Sequence, residues 1–116
     1  MKLFKPFRTR NAARDEETDR LRFMRLATTL SSLREEIERE QHGLRRRYEE
    51  RRNDAGFALE AFDQMPSDES LAQSVEQHSQ ELLRCETRLK ALEAQTELLA
   101  TIGSLMDERH PPEGTT

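Results

Sequence analysis

Residues 71–106 read LAQSVEQHSQELLRCETRLKALEAQTELLATIGSLM, a run with no proline and a single glycine. Along it, apolar or small side chains recur at alternating steps of four and three: Leu71, Val75, His78, Leu82, Cys85, Leu89, Leu92, Thr96, Leu99, Gly103 and Met106. Side chains so spaced line one stripe of an α-helix, and a stripe of period 3.5 is the seam that a second helix covers in a left-handed coiled coil. A strand would alternate in twos instead.

The same stepping runs upstream through Phe23, Leu26, Leu30, Leu33, Ile37, Glu40 and Leu44, then Tyr48, Arg51, Ala55, Ala58, Phe62 and Met65. One step is irregular: eleven residues separate Ile37 from Tyr48, a stutter of the kind that locally unwinds a supercoil. Gly43 lies within it, and a mid-helix glycine costs about 1 kcal/mol relative to alanine. The coincidence marks this stretch as a bend.

Two seams joined by a few residues must run antiparallel. Asn11 is placed to cap the first helix, with Asp15, Glu16 and Glu17 near the positive end of its dipole, and Ser67 or Asp68 to cap the second. The expected fold is all-α: a long antiparallel two-helix coiled-coil hairpin over residues 11–109, with a helix at 11–65, a turn at 65–68 around Pro66 and a helix at 67–109. A basic arm over residues 1–10 and a flexible tail over 110–116 flank it. At 1.5 Å per residue the two helices would span roughly 80 Å and 65 Å, which makes a rod. A rival hairpin turns earlier, at Asn53-Asp54-Ala55-Gly56, whose composition also suits a turn.

Composition agrees with long helices whose outer faces are solvated. Charged residues make up 36% of the 116 positions, and there is no Trp and one Tyr, too few large apolar groups for a thick globular core. The net charge of −4 hides an asymmetry: Lys2, Lys5, Arg8, Arg10 and Arg14 precede the first acid, Asp15. The body is therefore acidic, which disfavours a nucleic-acid surface anywhere but the arm. Cys85 is the only cysteine, so no internal disulfide can form. No apolar run reaches transmembrane length and no apolar stretch follows the charged start, so cytoplasmic residence is expected.

Catalysis and metal binding both need converging side chains. His42, His78 and His110 lie far apart in the hairpin register, and the residues three before His42 and His78 are Arg39 and Val75, not the Glu of carboxylate-bridged bundles. His78, Glu81 and Cys85 share one helical face and would hold a metal only if a second copy added ligands; a small polar interruption of the seam is the plainer account. The nearest histidine on the face of Cys85 is about 10 Å away along the axis, too far to activate a thiol. No phosphate-binding glycine loop occurs. No cofactor, metal or catalytic residue is expected, and the chain reads as non-enzymatic.

The densest motif is the run from Leu44 to Arg52, LRRRYEERR. Its arginines circle the helix and are interrupted by acids, so a solvated, ion-paired face suits it better than a phosphate grip. A turn at Pro66 sets Arg47 near Glu86, Glu49 near Arg84 and Arg52 near Glu81, three pairs of opposite sign that would fix register. The arm interleaves Phe4 and Phe7 with Lys2, Lys5, Arg8 and Arg10, a mixture suited to an anionic membrane surface or a nucleic-acid backbone, or simply to a disordered terminus. At the open end, Leu98, Leu99, Ile102, Leu105 and Met106 exceed the width of one seam, and antiparallel pairing sets them alongside Leu26 and Leu30, with Leu21, Phe23 and Met24 just beyond. This patch is the expected partner or homo-oligomer interface.

In length, helix layout and charge the chain resembles the small hairpin coiled-coil proteins that serve as stalks, adaptors or export chaperones in bacterial flagellar and secretion machines. That resemblance implies a scaffold presenting helical surface to a larger assembly or to itself. The alternative is a peripheral tether whose basic arm binds anionic lipid or nucleic acid. Sixteen arginines against three lysines point to a GC-rich bacterial genome. The rod expected from the two seams predicts a radius of gyration, measured by small-angle scattering, well above the roughly 13 Å of a compact 100-residue chain.

Overall fold

The structure, a computed structural model, describes residues 11–110. These residues are 94% helical and contain no strand. Two helices make up the total, α1 (Ala12–Gln64) and α2 (Glu69–Arg109). The chain divides into two compact units, Met1–Leu33 and Arg34–Thr116.

In the first unit, α1 is built from local bonds. The Asn11 side chain accepts from the Ala13 amide at 2.9 Å, satisfying one of the amides a helix start leaves unpaired, and its carbonyl accepts the first helical bond from Asp15 N at 3.0 Å. One turn on, Glu17 takes two hydrogen bonds from the Arg20 guanidinium, at 2.6 and 3.0 Å. Thr18 and Thr29 donate back to the carbonyls four residues earlier, Arg14 and Arg25. Leu30 is buried and Phe23 half-buried.

The second unit is the hairpin. Glu40 meets Arg88, Tyr48 meets Glu86 and Arg51 meets Glu81, so one helix ascends in number as the other descends. α1 runs unbroken through Asn53–Gly56, which removes the earlier turn; the chain reverses at Met65–Asp68, where Asp68 N donates to Met65 O at 3.1 Å. α2 then starts at Glu69, two residues after the expected Ser67, because Asp68 is its cap. The Asp68 carboxylate accepts from Ser70 N at 2.9 Å and Leu71 N at 3.3 Å, and its negative charge sits at the positive end of the dipole.

All eleven seam positions expected on α2 are buried or half-buried, with Leu92 only 1% exposed and Leu99 also inside. On α1 five of the expected seam positions, Leu26, Leu33, Glu40, Arg51 and Met65, are exposed. Glu40 is exposed and Gln41 half-buried, so the stripe runs Ile37, Gln41, Leu44, Tyr48 and on to Phe62 in regular steps of four and three. The irregular step expected between Ile37 and Tyr48 is therefore absent. The reason is that both candidates are polar, and Glu40 gains more by reaching sideways to Arg88 than by entering the seam.

α1 also passes through Gly43 and Gly56 unbroken, and a Cβ built at either meets nothing within 4 Å. Gly43→Ala and Gly56→Ala should each raise stability by about 1 kcal/mol through helix propensity alone. At Gly103 a Cβ would come 3.3 Å from Arg34 Nη2, so Gly103→Ala should gain less. Thermal unfolding followed by circular dichroism measures the order.

Candidate functional site

The hairpin's polar side chains work at the edges of its seam. Arg88 donates to both carboxylate oxygens of Glu40, at 2.7 and 3.0 Å. This is the fork geometry that fixes orientation as well as distance. Both side chains remain over 40% exposed, so the pair secures register more than stability. The Arg88 hydrogen bonds hold the Glu40 carboxyl below its ordinary value near 4.5, the Arg88 and Arg47 charges act in the same direction, and desolvation opposes them. The same hydrogen bonding raises Arg88.

Two further contacts cross the seam. The Tyr48 hydroxyl donates to Glu86 at 2.8 Å; that hydrogen bond, reinforced by desolvation and by the Glu86 charge, lifts the phenol above its ordinary value of 10. Arg51 Nη1 lies 3.4 Å from Glu81 Oε2. That oxygen is sealed from solvent and takes no hydrogen bond, like the nearby His78 Nδ1, so this level of the seam is held by charge proximity without directed bonds.

Of the expected interhelical pairs, the structure keeps the register and shifts the partners by one residue. Glu86 takes Tyr48 rather than Arg47, and Glu81 takes Arg51 rather than Arg52. Arg52 instead lies 3.8 Å from Glu49, one turn away on its own helix, and Arg84 is exposed without an ion pair to Glu49. The physical reason is reach. Seam residues such as Tyr48 and Arg51 already point toward the other helix and extend past its edge, whereas Arg47 and Arg52 start farther round the cylinder. Sequence spacing misses the Glu40–Arg88 fork because it places Glu40 in the seam itself.

Of the expected interface residues on α2, Leu98 and Leu105 are 58% and 53% exposed, while Ile102 and Met106 are half-buried. Of those in the first unit, Leu21 and Met24 are exposed and Phe23 half-buried. Exposed apolar groups also occur where spacing did not single them out: Phe57, at 72%, and Leu83, at 61%. Both sit off the seam, which steps past them from Ala55 to Ala58 and from Leu82 to Cys85, and an apolar residue outside the stripe was the signal available. The arm residues Lys2, Phe4, Lys5, Phe7, Arg8 and Arg10 lie outside the described residues.

Among the described residues no three His, Cys, Asp or Glu side chains converge on a metal position, and no helix is long and apolar enough to cross a membrane. Two surface depressions are each lined from one helix only, by Arg22, Arg25, Leu26 and Thr29 and by Glu35, Glu38, Arg39 and His42. They are grooves between neighbouring side chains, open to water.

The Glu40–Arg88 fork carries a pH dependence. Because the folded carboxyl titrates below its unfolded value, its stabilisation is complete above pH 4.5 and is lost as pH falls through the lower folded value. Glu40→Gln keeps an acceptor for Arg88 and removes the charge. The gap in thermal midpoint between wild type and Glu40→Gln should be largest near neutrality and close on acidification, which a melting series from about pH 7 to pH 3 would follow.

Comparison of the chain with protein-family models, with curated proteins and with solved structures returns no match.

Proposed function

We propose that this chain is a non-enzymatic coiled-coil interaction protein, presenting helical surface to a larger assembly or to another copy of itself. The supporting observation is the balance of apolar side chains among the described residues. Leu30, Leu44, Leu92 and Leu99 are buried, whereas ten large apolar side chains, from Leu33 at 41% to Phe57 at 72%, stay exposed. Fully burying such a side chain is worth about 1.5–3 kcal/mol, and two helices offer no second layer in which to do it. A partner's helix supplies that layer. The layout resembles hairpin stalks, adaptors and export chaperones of bacterial secretion and flagellar machines, and a cytoplasmic setting suits a chain with a single, half-buried, free thiol.

The tether reading is favoured by one observation only, the interleaving of Phe4 and Phe7 with five cations ahead of Asp15. The two readings part on deletion of residues 1–10. An interaction protein keeps the proteins it captures in pull-downs from its native host. A tether loses salt-sensitive binding to vesicles rich in anionic lipid. We expect capture to survive the deletion; loss of vesicle binding with no change in captured proteins would transfer the function to the arm.

A further inference from the structure

We propose that the outer face of α2 between Ala91 and Leu105 is the contact between two copies of this chain, packed antiparallel. The inference rests on the interaction reading above and names its partner. Ala91, Gln95, Leu98, Ile102 and Leu105 step by four, three, four and three, a second stripe beside the seam. The first stripe is used up inside the hairpin, where Leu92 and Leu99 are buried and Thr96, Gly103 and Met106 half-buried. The second is open: Ala91, Gln95, Leu98 and Leu105 are exposed and Ile102 is half-buried. Its period of 3.5 specifies a cover, since knobs so spaced fit the holes of another helix in a left-handed supercoil.

The border of the stripe admits that helix. Thr87, Ala94 and Thr101 follow one side at seven-residue intervals; all are short and uncharged, so close approach strips water from no ion. The charges at the two ends select the partner and its direction. Arg84, Arg88 and Lys90 lie at one end with Glu86 offsetting one of the cations, Asp107 and Glu108 at the other with Arg109 offsetting one of the acids. Lys90, Asp107 and Glu108 are exposed and enter no ion pair among the described residues. A parallel second copy would set like charges side by side at both ends. An antiparallel copy related by a two-fold axis near Leu98 sets Lys90 beside the acids at 107 and 108, and does so twice by symmetry. The face is thus complementary to itself in one orientation only.

Sedimentation of the full chain over about 1–500 μM, a span that covers weak helical dimers, should show a reversible dimer. Leu98→Glu with Leu105→Glu should raise the dissociation constant by about a hundredfold or more. Leu83→Glu, the same change at an exposed leucine off this stripe, should leave it unaltered and controls for loss of the hairpin. Lys90→Glu and Glu108→Lys should each weaken the dimer severalfold, and the two together should restore it. In a parallel dimer the double variant would restore nothing. A dimer indifferent to Leu98→Glu with Leu105→Glu would overturn the proposal. A chain monomeric throughout, whose host-protein capture is nonetheless abolished by that pair, would overturn self-pairing and leave the interaction reading standing. A monomer that captures nothing would overturn both.

Discussion

A hairpin of two helices has one buried surface, the strip along which they touch, and everything described between Arg34 and Arg109 depends on it. Leu44, Leu92 and Leu99 are its buried members, and Leu92 alone is fully buried. No sheet or third helix backs them, so each carries a share of stability that a globular core would spread over more neighbours. The half-buried positions, from Leu71 to Met106 on α2 and from Ile37 to Phe62 on α1, extend the strip without thickening it.

Several polar residues of so thin a core find a partner within reach, although the sealed Nδ1 of His78 takes no hydrogen bond. Thr96 donates its hydroxyl to Leu92 O at 3.0 Å. Arg51 sits against Glu81, and Gly103 lies beneath the Arg34 guanidinium, close enough that a Cβ would come within 3.3 Å of it. Glu40 leaves the seam for Arg88. These contacts contribute little individually because they stay in contact with water. Collectively they define the alignment: a hairpin slipped by one heptad would break the Glu40–Arg88 fork and the Tyr48–Glu86 hydrogen bond together. A seam of uniform leucine would be more stable and less particular about register.

The same economy of core leaves apolar surface outside, and it is not scattered evenly. On α2 the stripe from Ala91 to Leu105 has helical period, one uncharged border and opposite charges at its two ends, whereas Phe57 and Leu83 stand alone. Single exposed apolar residues are ordinary on any surface. A periodic stripe is a shape that another helix fits.

Helix type, antiparallel pairing and the seam of α2 were legible in the sequence, because a 3.5-residue period over five heptads has no structural solution other than a helix with a covered stripe. The Asn11 cap was equally visible, since capping depends on neighbouring residues. The tertiary structure alone decided between Glu40 and Gln41 in the seam, between the turn at Pro66 and one at Gly56, and between Tyr48 and Arg47 as the partner of Glu86. Two of those choices set one polar side chain against another of similar local propensity, and the third sets one turn-prone stretch against another. The difference lies in which of them reaches across to the other helix, a distance that pairing in space creates and that spacing along the chain does not contain.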